Sequence, residues 1–212
     1  METRISLQIN PASSFLETSS SKHWSLPGAE ISFCAGFFSP EESRHFFREL
    51  YETIEWKQEK IYVFGRRVST PRLTAWHGDE GKSYRYSGIT VHPCRWTPAL
   101  LQIKDRVETS GKQSYNSVLL NLYRDGQDSV DWHADDEKEL GWEPVIGSVS
   151  FGATRQFQLK HREDKRLRLN IDLSDGSYVV MSGQTQHQWL HRIPKTAKPC
   201  PPRINLTFRT IC

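Results

Sequence analysis

The 212-residue sequence predicts a mainly β (α+β) domain: a double-sheet jelly roll with helices packed against one face. Three observations point there. From residue 117 onward the chain runs through short apolar or alternating stretches, at 117–123, 145–151, 155–160, 167–173, 177–181 and 203–211. Two helical stripes come earlier, and strands and helices never alternate as a parallel sheet would require. Turn residues mark the strand ends: Gly152, the charged run His161 to Arg166, Asp175-Gly176 and Ser182-Gly183. Many short strands in sequence bury their edges by packing as two antiparallel sheets.

The elements follow in order. Residues 1–28, rich in Ser with Pro11 and Pro27, are expected to form a flexible N-terminal tail, leaving one domain over residues 29–212. Phe33 to Phe38 enters the core as a short strand. Ser39-Pro40-Glu41-Glu42 then carries three helix-start signals: an N-cap Ser, Pro at the first helical position and Glu at the third. Phe46, Phe47, Leu50, Tyr51 and Ile54 recur at helical spacing behind it. A second helix starts at Thr97-Pro98, buries Leu100, Leu101, Ile103 and Val107, and stops near Gly111. Between the helices, Ile61–Phe64, Pro71–Trp76 and Ser83–Gly88 read as strands. That region interleaves Tyr62, Phe64, Trp76, Tyr84 and Tyr86 with Arg66, Arg67, Arg72, Lys82 and Arg85. Aromatic planes beside cations suit stacking on unpaired bases. Cross-strand aromatic pairing produces the same composition.

Composition narrows the classes. No apolar run approaches a membrane span, and the N-terminus lacks the apolar core of a secretory signal, so no membrane partner is expected. Cys34, Cys94, Cys200 and Cys212 form no C-x-x-C pair; reduced thiols in the cytoplasm, or in the nucleus of a eukaryote, are the simpler reading. Nothing signals an oligomer, and a monomer is expected. Net charge is only +3, but its distribution is uneven. Acids crowd residues 125–143, as a cation site favours. Lys57, Lys60, Arg66, Arg67 and Arg72, then Lys160, Arg162, Lys165, Arg166 and Arg168, make two basic segments that read as a solvated face or as a phosphate footprint.

Chemistry concentrates in SVLLNLYRDGQDSVDWHAD, residues 117–135. His133 and Asp135, two apart in extended backbone, point to one side. With a distant His they make the two-histidine, one-carboxylate set of non-haem Fe(II) oxygenases, which leaves coordination positions open. His187 and His191 both offer that imidazole. The last strand alternates strictly, with Ile204, Leu206 and Phe208 on one face and Arg203, Asn205, Thr207 and Arg209 on the other. An exposed polar face accounts for this. So does a ladder of donors for a dicarboxylate, which guanidinium groups hold bidentately. Asn121 and Tyr123 add two neutral hydrogen-bonding groups.

Taken together, N-L-Y at Asn121–Tyr123, H-A-D-D-E at His133–Glu137, S-F-G-A-T-R at Ser150–Arg155, W-L-H at Trp189–His191 and P-R-I-N-L-T-F-R at Pro202–Arg209 resemble the AlkB family. Members of that family are Fe(II)- and 2-oxoglutarate-dependent nucleic-acid dealkylases. The likeness runs from about residue 30 to the C-terminus, with P-R-L-T-A-W and Y-R-Y-S-G fitting a base-binding lid. It implies a double-stranded β-helix (jelly roll) core over about 115–212 and an N-terminal nucleotide-recognition lid over about 57–95. It makes His133, Asp135 and His191 the iron ligands, choosing His191 over His187. It places Arg203 and Tyr123 at the distal carboxylate of 2-oxoglutarate, Arg209 and Asn121 near the carboxylate closest to the metal, and Asn205 and Thr207 in support. Tyr84 and Tyr86 match the lid aromatics, Glu137 the acid that accepts from the exocyclic amine with Asp136 its neighbour, and Phe64 the wedge that fills a duplex gap.

The resemblance implies oxidative removal of N-linked alkyl groups from 1-methyladenine- or 3-methylcytosine-type bases in DNA, with RNA an open alternative. O₂ is consumed, and formaldehyde and succinate are released. Phe64 favours duplex substrates, whereas the short segment His161–Arg168 favours single or locally opened strands, toward which the reading leans. Two other readings stand beside this one. The first is a 2-oxoglutarate oxygenase acting on a protein, lipid or small molecule; the second is a nucleic-acid-binding module without catalysis.

Overall fold

A computed structural model describes residues 21–63, 65–82, 84–86 and 89–212. Strands β1 (Ser21–Leu26) and β2 (Ala29–Cys34) precede helix α1 (Pro40–Thr53). Next come β3 (Lys60–Val63), β4 (Arg66–Ser69), β5 (Leu73–Gly78), β6 (Tyr84–Tyr86), β7 (Ile89–Val91) and helix α2 (Pro98–Gly111). The remainder is β8 (Ser117–Tyr123), β9 (Val130–His133), β10 (Ile146–Gly152), β11 (Arg155–His161), β12 (Arg168–Leu173), β13 (Ser177–Ser182), a single turn α3 (Thr185–Gln188), β14 (Trp189–Ile193) and β15 (Arg203–Arg209).

Two antiparallel sheets carry the core. A seven-stranded sheet runs β1-β2-β13-β10-β15-β8-β5, and a four-stranded sheet runs β12-β11-β14-β9. Alternation along β8 and β15 sends residues to two different interiors. Val118, Leu120, Leu122, Ile204, Leu206 and Phe208 pack outward against Phe46, Leu50, Leu100, Ile103 and Val107 of the helices. Each such side chain contributes about 1.5–3 kcal/mol when fully buried. The opposite face meets the smaller sheet, where Ile31, Phe33, Phe157, Leu159, Val179 and Ile193 form a second cluster.

Both long helices begin where their caps predict. Ser39 Oγ accepts from the Glu42 amide while Glu42 Oε2 accepts from the Ser39 amide, a reciprocal capping box. Thr97 Oγ1 caps α2 through the Leu100 amide.

Two expected boundaries differ. Residues 21–26, assigned to the tail, form β1 on β2, because Trp24 and Leu26 are half-buried there and Pro27-Gly28 closes the turn, Gly28 at φ +68°. Within the span 57–95 expected as lid, β5 is instead the edge strand of the larger sheet beside β8.

Gly152, at the end of β10, sits at φ +87°, and a Cβ there would lie 2.5 Å from the Pro202 carbonyl oxygen and 2.8 Å from the Phe47 ring. Both the backbone conformation and the space exclude a side chain. Gly152→Ala is expected to lower stability by about 2–3 kcal/mol, read as a lower urea midpoint at unchanged slope.

Candidate active site

Three donors converge where β9 and β14 pair. His133 and His191 are direct partners across that antiparallel pair, so both rings leave the same face, with centroids 4.3 Å apart. Asp135 follows His133 by two residues, and the donor atoms of all three lie within 4.8 Å of one another. His133 Nδ1 lies 2.8 Å from the Asp131 carbonyl. A carbonyl only accepts, so Nδ1 carries the proton and Nε2 keeps its lone pair for a metal. His187 takes no part: its Nε2 faces the Trp142 carbonyl, and its ring lies tilted against Trp142 with centroids 4.2 Å apart. Two nitrogens and one carboxylate oxygen with open positions suit Fe(II).

The charges at these donors are set by burial and by one arginine. Burial works against ionisation of Asp135, but Arg209, His191 and His133 outweigh it and hold the carboxyl below its ordinary range. Arg209 Nη2 donates to Asp135 Oδ1 at 2.6 Å, and the Asp135 amide donates to Gln186 Oε1 at 3.0 Å. Burial, reinforced by His133, pushes His191 down to about 3. It is therefore neutral and ready to coordinate at physiological pH.

The sign of the linkage is fixed by that shift. Unfolded His191 titrates near 6.5 and the folded one near 3, so the unfolded chain binds the extra proton between those values. Stability of the metal-free chain falls as pH drops through that window. The His191 contribution is about 2 kcal/mol between pH 6.5 and 5. His191→Gln should remove that part of the slope, measured as urea midpoints at both pH values in chelator. Asp135 acts in the same direction only below its ordinary value of 3.8, outside this window.

A cavity of about 430 Å³ opens from the three donors across the inner face of β5, β8 and β15. Arg203, opposite Tyr123 in the β15–β8 register, is 1% exposed. Its Nη2 donates to Ser150 Oγ at 2.8 Å, while Nε and Nη1 have no acceptor. Its Cζ lies 5.1 Å from the Tyr123 ring centroid. Burial pushes the guanidinium down to about 10, the Tyr123 phenol offsetting part of the effect. A buried cation with unmet donors facing a cavity is the arrangement a ligand carboxylate completes. Arg209 Nε is likewise buried without an acceptor. Asn205 is bonded into the sheet, its amide donating to Ser148 Oγ and the Val149 carbonyl, and Thr207 donates to Asn205 Oδ1. These two support the cavity wall. Asn121 Oδ1 accepts from Arg72 Nε at 2.7 Å, which leaves the Asn121 amide group for a ligand.

The substrate-side residues divide. Glu137 lines the cavity. Asp136 turns outward to an ion pair with Arg162 at 2.7 Å. Tyr84 and Tyr86 lie on β6, paired with β7, and Phe64 lies outside the described residues.

Part of the acidic crowd at 125–143 has other work: Asp128 pairs with Arg124, Asp125 accepts from the Gln127 amide and Asp131 from the Trp132 amide. Three functional contributors were not singled out from sequence. Arg72, read as part of a basic segment, reaches Asn121. Gln186, fully buried, holds the Asp135 backbone. Arg155 donates to the carbonyls of Asp125, Asp128 and Pro194, tying the loop before β9 to the end of β14. The S-F-G-A-T-R motif contained that last signal.

Fold and site together describe a double-sheet protein with a two-histidine, one-carboxylate donor set of the kind that non-haem iron oxygenases use. The family model described as "2OG-Fe(II) oxygenase superfamily" matches residues 30–209. Among curated proteins, the chain is 42% identical over 192 residues to alpha-ketoglutarate-dependent dioxygenase alkB homolog 3 of Bos taurus, covering 86% of this chain and 66% of that protein. It is 36% identical over 210 residues to DNA oxidative demethylase ALKBH2 of Mus musculus, covering 94% and 87%. The chain spans slightly under two thirds of the length of the alkB homolog 3 relatives, 62–66%. Solved structures share the fold: "The structure of OsALKBH1" at TM-score 0.64 and 18% identity, covering 89% of this chain and all of that one. A prolyl hydroxylase from Trichoplax adhaerens follows at TM-score 0.58 and 12% identity, covering 84% and 83%. The chain belongs to the 2OG-Fe(II) oxygenase superfamily and, within it, to the family of AlkB homologues. Its cofactors are accordingly Fe(II), 2-oxoglutarate and O₂. No described helix is long and apolar enough to cross a membrane.

Proposed function

We propose that this chain is an oxidative dealkylase that removes N-linked alkyl groups from bases of the 1-methyladenine and 3-methylcytosine type in DNA, releasing formaldehyde and succinate. The observation that carries the reading is the coincidence, in one cavity, of three converging donors and the unmet N–H groups of Arg203. His133, Asp135 and His191 hold the iron. Fe(II), once bound with 2-oxoglutarate, supplies O₂ activation and oxidation of a C–H bond next to nitrogen.

The chain's own groups do the rest. Arg203 and Tyr123 anchor one end of 2-oxoglutarate, and Asn121 orients the other. Arg209 keeps Asp135 charged and aimed. Glu137, on the cavity wall, favours a base that alkylation has made cationic over its neutral product. Alkylation of a pairing edge also lowers the cost of extruding the base, which adds selectivity. Relatives named as DNA oxidative demethylases support this choice of substrate class.

The test is mass spectrometry of oligonucleotides bearing 1-methyladenine or 3-methylcytosine, incubated with the chain, Fe(II), 2-oxoglutarate and ascorbate. Loss of a methyl mass that depends on 2-oxoglutarate is expected. Folded, metal-loaded protein that converts 2-oxoglutarate without touching either base would overturn the reading.

A further inference from the structure

On the outer face of the four-stranded sheet, away from the metal donors, Trp132 meets two cations. Its contacts with Lys160 and Arg192 put it there, at an irregularity where the β9–β14 register shifts between Val130 and His133. Lys160 Nζ lies 4.2 Å and Arg192 Cζ 4.4 Å from the Trp132 ring centroid. Arg192 Nε donates to Gln158 Oε1 at 2.8 Å, a neutral acceptor. Arg168 stands opposite Lys160 in the β11–β12 register and donates to the Lys165 carbonyl. Arg162 and Arg166 have carboxylate partners. Among the described residues, Lys160, Arg168 and Arg192 form no ion pair.

Two like charges over one indole, closer than the Debye length of about 10 Å at 0.1 M salt, repel each other with no counter-charge between them. The indole holds both against that repulsion and restricts two long side chains in advance. Such a pre-ordered pair is completed by an anion. The location is also specific. Trp132 is covalently next to His133, and β9 is the edge strand of its sheet, with Val130 and His133 lining the cavity. A single strand therefore separates the cavity from this cationic face.

We propose that Lys160 and Arg192, held over Trp132, seat a backbone phosphate of the nucleic-acid strand whose base enters the cavity, with Arg168 continuing the track. This rests on the dealkylase reading above. The charge pattern commits the surface to a polyanion, and the single-strand separation from the site commits it to the substrate strand.

Binding of a single-stranded oligonucleotide by the Fe(II)- and 2-oxoglutarate-loaded protein, without O₂, is followed by fluorescence anisotropy across a salt series. Each phosphate contact on a single strand contributes about 0.7 to the slope of log binding constant against log salt. The double variant Lys160→Gln/Arg192→Gln should lose about 0.7 of slope, the share of the one phosphate the pair seats, with affinity falling about tenfold at low salt. Lys160→Arg/Arg192→Lys should retain the slope, and Arg44→Gln, on α1 behind the other sheet, should leave it unchanged. An unaltered slope in the charge-neutral double variant overturns the seat. Displacement of the oligonucleotide by polyglutamate at equal charge concentration would assign the surface to an acidic protein and overturn it too. If the slope drops as expected but wild type removes no methyl group, the seat stands and the dealkylase reading fails.

Discussion

Asp135→Ala is expected to abolish metal binding, and turnover with it. The substitution removes the only carboxylate from a three-donor set and leaves Arg209 without its partner. That arginine is 16% exposed at its side chain, beside two imidazoles. The site changes from one that attracts a divalent cation to one that repels it. Loss of an outer-shell partner of a metal ligand costs about 10–100-fold in affinity, and removal of the ligand itself should exceed that range. The metal-free chain should also lose about 3–5 kcal/mol, the cost of stranding one member of a buried ion pair. Asp135→Asn separates the two effects. It keeps an acceptor for Arg209 and should recover much of the stability, while metal affinity stays low. Calorimetric titration with Mn(II), succinate release and urea midpoints read all three quantities. Wild-type metal affinity in Asp135→Ala would remove the iron assignment.

Arg203→Met should divide binding from stability in the opposite way. Arg203 is buried, with Nη2 donating to Ser150 Oγ, the Tyr123 phenol beside it, and Nε and Nη1 unmet. A buried charge so poorly served costs the fold more than it returns, and well-packed apolar replacements of such groups are often neutral or stabilising by about 1–4 kcal/mol. The variant should therefore melt at the wild-type temperature or a few degrees above it. Its KM for 2-oxoglutarate should rise about 30-fold or more, since truncating one side of a buried charged contact costs about 2–5 kcal/mol. The thermal shift that 2-oxoglutarate produces in wild type should vanish. An unchanged KM would mean that the unmet N–H groups of Arg203 serve something other than the keto acid.

The pairing of His133 with Asp135 could be read directly, because extended backbone sends alternate residues to one side whatever lies around them. The third donor could not be read from spacing, and only the W-L-H likeness favoured His191 over His187, four residues before it. Strand pairing gives the physical reason: His191 on β14 lies opposite His133, whereas His187 in the turn before it folds back onto Trp142. Arg203, Asn205, Thr207 and Arg209 could be seen to share a face, yet an exposed polar face has the same pattern. That face is interior because the four-stranded sheet closes over it. The contacts of Arg72 and Gln186 leave no local mark in the sequence, because their partners, Asn121 and Asp135, lie 49 and 51 residues away.

Local sterics thus settled the caps of α1 and α2, the alternation of β8 and β15, and the class of a chain that strings short strands without intervening helices. Folding in three dimensions settled which imidazole joins the donors, which arginine is stranded facing the cavity and which cations gather over Trp132. The reason is the range of the forces involved. Backbone geometry acts over a few residues and leaves its mark in the order of the chain. Strand pairing and sheet packing join residues that the order keeps far apart, and those contacts decide which polar groups lose water and must find a partner.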